Sequence, residues 1–439
     1  MNQNNPAIFN VVPKELFNRE LAKEIEKYLN RKEIIAIKGP RQSGKTTLMQ
    51  MLYTKISKSK RSHFMTFEKM SDLEVFESDI ESFKKLYVDK NEVLFIDEFQ
   101  YAKEGGKKLK YLYDTSNCKF IISGSSSLEL ASQTGKYLVG RVFSFLLLPL
   151  SFGEYLGVKD QGLSSLVSDY RGFLLSFLSG RTKEVPLSNL RSNSLVKNVA
   201  DNLDEYLVYG GYPAVAGTGD FDIKKSVLRN VVDTYISRDI KELLQMSTDG
   251  ELLELSRFLG LQLGQVVSYD ELSNVSGLTG KQVKNHLRVL KETYVIDLVA
   301  PFFRNKRVEL VKNPKVYFYD NGLRNSIVNN FSDLKVRSDK GGLYENFIFS
   351  SLKKSLPSLG VKFWRTKSQA EVDYILERGN SLLPIEVKSV SKKLPAPGKS
   401  FYSFVSKYKP EYGIIVTSDV YGTKDIDGTK VYYVPAFYF

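Results

Sequence analysis

A short glycine-containing stretch near the N-terminus has the residue types that bind phosphate. Residues 39–46 read GPRQSGKT, a full match to the pattern G-x-x-x-x-G-K-[ST]. The glycines allow the backbone to curl so that successive N–H groups point at phosphate oxygens, and a helix beginning near Lys45 adds partial positive charge. Lys45 can reach the β- and γ-phosphates, and the Thr46 hydroxyl can bind Mg²⁺. The predicted nucleotide-binding residues of this loop are Gly39, Pro40, Arg41, Gln42, Ser43, Gly44, Lys45, Thr46 and Thr47.

Two adjacent acids follow a second apolar segment. NEVLFIDEFQ, residues 91–100, places Asp97 and Glu98 directly after a predicted buried strand. Asp97 would hold Mg²⁺ through water, and Glu98 would polarise the attacking water, since hydrolysis needs a base near the in-line position. A phosphate loop followed by paired acids indicates a nucleoside triphosphatase. Motifs that read the nucleobase in GTPases are not evident, so ATP is the predicted nucleotide.

A third apolar segment ends in small polar residues. KFIISGSSS, residues 119–127, places Ser123 and Ser125 at the edge of the predicted sheet, where ligands of open α/β folds bind. We expect Ser123 to bind the nucleotide, where it could sense the γ-phosphate. Clusters of Ser and Gly are also typical of turns. Arg141 could complete the ATP site of a neighbouring subunit as a catalytic residue, or pair with a surface acid. We expect a homo-oligomer.

The order of the segments predicts the sheet that positions these residues. Apolar strands alternate with helical patterns over residues 33–148, which indicates a parallel sheet with helices on both faces. The adjacent acids favour the AAA-like branch of P-loop ATPases. The following residues, 157–240, have a helical pattern broken by Gly210, Gly211 and Pro213, which is typical of a lid.

A helix-turn-helix is predicted over residues 268–296. Gly277 separates two helical patterns, and Thr279 can cap the second helix. One face of that helix is apolar, with Val283, Leu287 and Leu290. The opposite face is basic, with Lys281, Lys284 and Arg288.

The segment after the helix-turn-helix is predicted to form a basic turn, or wing. APFFRNKRVELVK, residues 300–312, contains Arg304, Lys306 and Arg307. A basic helix with a basic wing is suited to the major groove and to phosphate contacts, so these six cations are candidate DNA-binding residues. Alternatively, the module packs against the ATPase and its charged face is merely solvated.

A hairpin near the C-terminus places charges on buried strands. In AEVDYILERGNSLLPIEVKS, residues 370–389, Gly379-Asn380 would form the turn, so position i faces position 759 − i. Asp373 then lies opposite Glu386, and Lys388 shares their face. Glu345 lies upstream on a predicted helix. Carboxylates of this kind can bind Mg²⁺ or Mn²⁺, with Lys388 stabilising developing charge, but ordinary salt bridges would give the same pattern.

Composition narrows the class of protein. The net charge of +13 favours a polyanionic partner such as nucleic acid. A single Cys excludes a disulfide framework, and one Cys with two His argues against a zinc site built from Cys and His. We see no secretory signal and no apolar run long enough for a membrane span, and we expect a cytoplasmic protein.

The motifs taken in order resemble a known family. GPRQSGKTTL, FIDEFQ, ISGSSS, PLSFGEYL, GGYP, PKVYFYDNGLR, GGLYENFIF and EVDYIL…PIEVKS are similar to AAA-type ATPases of bacteria and archaea that carry a C-terminal PD-(D/E)XK-nuclease-like domain of unassigned function. The resemblance implies an α/β protein with four parts: a P-loop ATPase domain (1–156), a helical lid (157–245), a winged helix (246–325) and a restriction-endonuclease-like domain (326–439). It also assigns Glu345, Asp373 and Glu386 as metal ligands and Lys388 as a catalytic residue.

Two functions follow from these expectations. In the first, the chain is an ATP-hydrolysing machine that engages DNA and carries a metal-dependent nuclease. In the second, ATP switches a DNA- or protein-binding scaffold whose nuclease-like fold does not cleave.

Overall fold

A five-stranded parallel sheet forms the centre of the N-terminal part of the chain. The computed structural model describes residues 17–124, 137–186, 193–240, 250–389 and 394–439. Neighbouring strands pair in the order β2-β3-β4-β1-β5, and all the pairs are parallel. The strands are β1 (Ile34–Lys38), β2 (Ser62–Thr66), β3 (Val93–Asp97), β4 (Lys119–Gly124) and β5 (Val142–Leu146). The parallel sheet predicted from the alternating segments is therefore confirmed.

Helices cover both faces of this sheet. Alternate residues of β1 enter two separate apolar cores, with Ile34 and Ala36 in one and Ile35 and Ile37 in the other. This two-sided burial explains why the strands are continuous apolar runs. The helices are α1 (Glu20–Glu26), α2 (Lys45–Ile56), α3 (Met70–Ser78), α4 (Ile80–Phe83), which continues as a π-helical turn (Lys84–Val88), and α5 (Gly105–Thr115).

A second compact unit begins at Leu148 and extends to Phe439. Its first part is helical, as predicted: α6 (Phe152–Lys159), α7 (Gln161–Leu178), α8 (Asn193–Tyr209), α9 (Pro213–Ala216) and α10 (Phe221–Val231), followed by a π-helical segment (Val232–Ile240). Gly211 lies between α8 and α9, and a side chain does not fit there because a Cβ would lie 2.3 Å from the carbonyl oxygen of Leu150. The side chain of Arg238 lies outside the described residues.

The predicted helix-turn-helix is formed by α12 (Tyr269–Ser276) and α13 (Gly280–Glu292), preceded by α11 (Gly250–Leu261). Gly277 ends α12 in the left-handed conformation, with φ 71°. Thr279 caps α13 in a capping box with Gln282. Strands β6 (Ile296–Val299) and β7 (Lys315–Phe318) then pair antiparallel. The predicted turn between them was wrong in one respect: it contains a helix, α14 (Lys306–Val311), which Asn305 caps.

The C-terminal part is a six-stranded mixed sheet in the order β12-β13-β11-β10-β9-β8. Pairs β10–β11 and β11–β13 are parallel, and the other pairs are antiparallel. The strands are β8 (Val361–Arg365), β9 (Glu371–Arg378), β10 (Ser381–Val387), β11 (Tyr412–Thr417), β12 (Gly422–Ile426) and β13 (Thr429–Pro435). The helices are α15 (Asn321–Ile327), α16 (Lys340–Ser355) and α17 (Lys399–Tyr408).

The predicted hairpin register is the observed one. Ser381 pairs with Arg378 and Ile385 with Tyr374, so paired positions sum to 759 as expected. Gly379 occupies the turn with φ 60°, a conformation that glycine adopts without strain.

The chain divides once, between Leu147 and Leu148. The finer division of the remainder into a lid, a winged helix and a C-terminal domain stays a prediction. In the parts of the chain that the structure describes, no helix is long and apolar enough to cross a membrane.

Candidate functional site

The phosphate-binding loop lies between β1 and α2, and two glycines shape it. Gly44 immediately precedes α2 in the left-handed conformation, with φ 93°. Gly39 allows a close backbone approach, because a Cβ there would lie 2.1 Å from the carbonyl oxygen of Leu147. The N-terminus of α2 therefore opens directly onto the loop, which is the geometry that binds anions.

Lys45 is buried over this loop, where only 5% of its surface is exposed. Its Nζ donates to the carbonyl oxygens of Gly39 at 3.1 Å and Pro40 at 3.0 Å. The ammonium group is thus held within the curve of the loop. Phosphate oxygens would meet both the loop N–H groups and this cation.

Thr46 and Asp97 meet across the sheet edge. The Thr46 hydroxyl donates to Asp97 Oδ2 at 2.6 Å, although β4 separates the two strands that lead to these residues. A hydroxyl and a carboxylate are hard oxygen donors of the kind that Mg²⁺ selects. The residues present here therefore fit the predicted magnesium ion.

Ser123 completes this group because β4 lies between β1 and β3. Its hydroxyl donates to Asp97 Oδ1 and accepts from the Glu98 N–H at 3.1 Å. Burial raises the pKa of Asp97, while the hydrogen bonds from Ser123 and Thr46 oppose that shift. Ser123 therefore fixes both acids. The alternative serine, Ser125, lies outside the described residues.

Glu98 is the half-exposed member of the acid pair. Its backbone has φ 52°, a left-handed conformation that is uncommon for a residue with a side chain. Its carboxylate accepts a hydrogen bond from Gln100 Nε2. Asp97 is held inside the sheet edge, whereas Glu98 retains access to water, so the two adjacent acids have different environments.

Two residues near this site were missed in the sequence. Glu68 follows β2, and burial together with the negative charges of Glu98 and Asp97 raises its pKa. Arg19 Nη1 donates to the carbonyl oxygen of Ser43 at 2.8 Å. Glu68 could have been found as an acid beyond the end of another strand, but no sequence pattern connects Arg19 with the loop.

Arg141 pairs with a surface acid, which is one of the two roles expected from the sequence. Its Nε lies 3.1 Å from Asp114 Oδ1, a surface ion pair. A role in a neighbouring subunit's ATP site stays a prediction.

The C-terminal hairpin carries a second group of charged residues, and a lysine lies among them. Lys315 Nζ is 3.1 Å from Glu345 Oε1 and 2.5 Å from Glu371 Oε1. Burial alone would lower the pKa of Lys315, but Glu345, Asp373 and Glu371 outweigh burial and raise it. Neither Lys315 nor Glu371 was identified from the sequence.

The other predicted residues of this group have protein partners. Asp373 Oδ2 accepts from the Val387 N–H at 2.7 Å, and burial together with the charge of Glu345 raises the pKa of Asp373. The Glu386 carboxylate accepts from the Gly398 N–H at 3.1–3.2 Å and pairs with Lys388 at 2.6 Å.

These contacts bear on the predicted metal site. Among the described residues, no group of three or more His, Cys, Asp and Glu residues is arranged to hold a metal ion. Each expected ligand already has a partner within the protein, because lysine ammonium groups pair with Glu345 and Glu386 and a backbone N–H binds Asp373. The prediction of a nuclease metal site is thus not supported by the arrangement of its ligands.

The basic face of α13 is arranged as predicted. Val283, Leu287 and Leu290 are buried, whereas Lys281, Lys284 and Arg288 are exposed on the other side of the helix.

The basic wing differs, because two of its three cations contact other parts of the protein. Lys306 pairs with Glu309 at 3.2 Å and with Glu377 of β9 at 2.6 Å. Arg304 lies over the ring of Tyr408, 5.4 Å from its centroid. Arg307 is exposed. Ion pairs thus engage Lys306, which weakens its assignment to DNA.

Three family models match successive parts of the chain. Residues 31–156 match an AAA domain, residues 200–334 a domain of unknown function (DUF8612), and residues 340–437 another domain of unknown function (DUF4143). The AAA match covers the loop, both acids and Ser123, so the comparison and the geometry agree on the class of the N-terminal domain.

Similar proteins occur in bacteria and archaea. An uncharacterised protein of Haemophilus influenzae is 25% identical over 420 residues, which span 91% of this chain and 93% of that protein. An uncharacterised protein of Methanocaldococcus jannaschii is 26% identical over 321 residues, 70% of this chain and 65% of that protein. The Walker-type ATPase of Pyrococcus abyssi aligns with 71% of this chain and 96% of its own, at 16% identity and a TM-score of 0.42. The last likeness is too low to support a conclusion about function.

Proposed function

We propose that the N-terminal domain binds ATP with Mg²⁺ and hydrolyses it. The observation that carries this proposal is the convergence of Lys45, Thr46, Asp97, Ser123 and Glu98 at the carboxyl edge of one parallel sheet. The AAA-domain match over residues 31–156 supports the same class of activity.

The loop and Lys45 bind the phosphates in this proposal. Loop N–H groups face the phosphate oxygens, and Lys45 exchanges its two carbonyl acceptors for oxygens of the β- and γ-phosphates. Thr46 directly and Asp97 through water would hold Mg²⁺, which would neutralise charge on the β- and γ-phosphates. Ser123 keeps Asp97 in place.

Glu98 orients the attacking water and accepts its proton. The water oxygen forms a bond to the γ-phosphorus, and the bond from that phosphorus to the bridging oxygen of ADP breaks. The Ser123 hydroxyl accepts from the backbone N–H of Glu98, which fixes the position from which the carboxylate acts. A carboxylate with access to water suits this role.

The Glu98→Gln variant tests this proposal. We expect it to bind ATP with the affinity of the unmodified protein. Hydrolysis should be slower by a factor of about 100 or more, because glutamine cannot accept the proton. Single-turnover hydrolysis and nucleotide binding are measured on the same preparation. Glu104→Gln, an equal change at an exposed acid, is the matched control and should hydrolyse at the normal rate. Hydrolysis by Glu98→Gln at the normal rate would show that another group is the base.

We also propose that the chain engages DNA through the basic face of α13. Three exposed cations lie opposite three buried apolar residues on a capped helix that follows a tight turn, which is a geometry suited to phosphate and base contacts. The net charge of +13 is in the same direction. This proposal holds whether ATP drives movement along DNA or only switches a scaffold.

Charge reversal tests the DNA-binding face. Changing Lys281, Lys284 and Arg288 to Glu should weaken binding to duplex DNA and reduce the slope of log K against log salt by about 3, one for each lost phosphate contact. Fluorescence anisotropy at several salt concentrations measures both quantities. A control with Lys183, Lys335 and Lys424 changed to Glu carries the same charge change at other exposed positions. Equal losses in both variants would assign the effect to net charge rather than to α13.

A further inference from the structure

A buried lysine of the protein lies among the carboxylates near the C-terminal hairpin. Lys315 extends from β7, and its side chain is 1% exposed. Its Nζ contacts Glu345 of α16 and Glu371 of β9, and it acts electrostatically on Asp373. We call these four residues the Lys315 cluster.

The surroundings hold the ammonium group in one place. The Tyr317 hydroxyl donates to Glu345 Oε1, and the Phe363 ring centroid lies 5.4 Å from Lys315 Nζ. Gly264 approaches the same carboxylate so closely that a Cβ there would lie 3.2 Å from Glu345 Oε1. These groups surround the Glu345 carboxylate and the Lys315 ammonium with atoms of the protein.

The two glutamates of the Lys315 cluster have cationic partners within the protein. Lys315 pairs with Glu345 and Glu371, and Arg365 also lies 3.6 Å from Glu371. On the other strand of the hairpin, Lys388 pairs with Glu386. A divalent cation would therefore bring two further positive charges to carboxylates that have partners. A divalent cation on Glu345 would compete with Lys315 for that carboxylate, and an ammonium displaced from it would lose a buried ion pair.

We propose that Lys315 takes the cation position of this carboxylate cluster, so that the C-terminal domain binds no divalent cation there and does not cleave phosphodiesters. The cluster instead fastens β7 to α16 and β9. This disagrees with the metal site that the sequence resemblance implies. It is independent of the ATPase proposal, which concerns other residues.

Manganese binding to the full chain tests the proposal without nucleotide. Electron paramagnetic resonance counts bound Mn²⁺ in the unmodified protein and in Asp373→Asn, and we expect no difference between them. Lys315→Met removes the ammonium and should gain about one Mn²⁺ per chain, which the additional Asp373→Asn change should remove. Lys362→Met, at another lysine paired with two carboxylates, is the matched control and should gain none.

Two results would overturn the proposal. The first is Mn²⁺ binding, or Mn²⁺-dependent nicking of circular DNA, that the unmodified protein shows and Asp373→Asn loses while Thr46→Ala retains it. The second is a folded Lys315→Met that gains no Mn²⁺. If Lys315→Met does not fold, the comparison of the unmodified protein with Asp373→Asn still decides. Neither overturning result affects ATP hydrolysis, so failure here is distinguishable from failure of the ATPase proposal.

Discussion

Replacing Lys45 with alanine is expected to abolish ATP binding at micromolar concentrations. The residue is buried within the phosphate loop and has its ammonium group directed at the loop interior. A hydrogen bond to a charged group contributes about 1.5–3 kcal/mol, so the loss of contacts to two phosphates should weaken binding by about 100-fold to 10,000-fold. Hydrolysis should fall below detection at ATP concentrations that saturate the unmodified protein.

The control for Lys45→Ala is Lys58→Ala, which removes an exposed lysine from the same domain. Titration with a fluorescent ATP analogue in the presence of Mg²⁺ measures both dissociation constants, and thermal unfolding without nucleotide shows whether the variants are folded. A folded Lys45→Ala that binds ATP normally would remove the phosphate loop from the proposed site.

The proposed ATPase site could be predicted from the sequence because its signals are local. The loop pattern specifies its own backbone, and the paired acids directly follow a strand that is buried on both faces. Once the strands are known to be parallel, their carboxyl ends must share an edge, and Ser123 comes to Asp97 for that reason. The hairpin register was predictable on the same basis, since a Gly-Asn turn fixes which residues face each other.

The Lys315 cluster could not be predicted because its members come from three distant segments. Asp373, Glu386 and Lys388 share a hairpin face that register arithmetic identifies, but Lys315 enters from a strand before α16. Nothing in a single sequence shows which strand end packs against that face. Lys306 is a similar case. The sequence around it predicts an exposed cation of the wing, but in the structure it pairs with Glu377 of β9.

Buried polar contacts also explain why residues 148–439 form one unit. Asp320, at the start of α15, accepts hydrogen bonds from the Gly211 N–H at 2.8 Å and the Leu323 N–H at 3.0 Å, which ties the α8–α9 turn to α15. Arg324 of α15 donates to the carbonyl oxygen of Gly260 in α11 at 2.8 Å. A buried polar group without a hydrogen-bond partner costs free energy, so separating these segments would destabilise the folded protein. The residues predicted as a lid and those predicted as a winged helix are therefore joined by contacts that composition does not reveal.

The Asp339→Asn variant should destabilise this unit by about 2–3 kcal/mol, since it leaves two guanidinium groups without their carboxylate. Asp339 precedes α16 and accepts from Arg324 Nη1 at 2.5 Å and from Arg337 Nε and Nη2 at 2.8 Å each. Arg324 is only 2% exposed. The single tryptophan, Trp364, lies in β8, so its fluorescence during urea unfolding reports on this unit alone. Asp169→Asn, at an exposed position of α7, is the control and should unfold at the normal urea concentration.

The pH dependence of the Asp339→Asn effect separates lost charge from altered packing. Burial alone would raise the pKa of Asp339, but the hydrogen bonds from Arg337 and Arg324 outweigh burial and lower it. A carboxyl group with a lowered pKa stabilises the folded state above its unfolded pKa of about 3.9, and this stabilisation is lost as the pH falls through the folded pKa. The difference between the unmodified protein and Asp339→Asn should therefore be full at pH 7 and shrink as the pH falls below about 4. A difference that stays constant down to pH 2 would instead assign the loss to packing, because packing does not depend on the charge of Asp339.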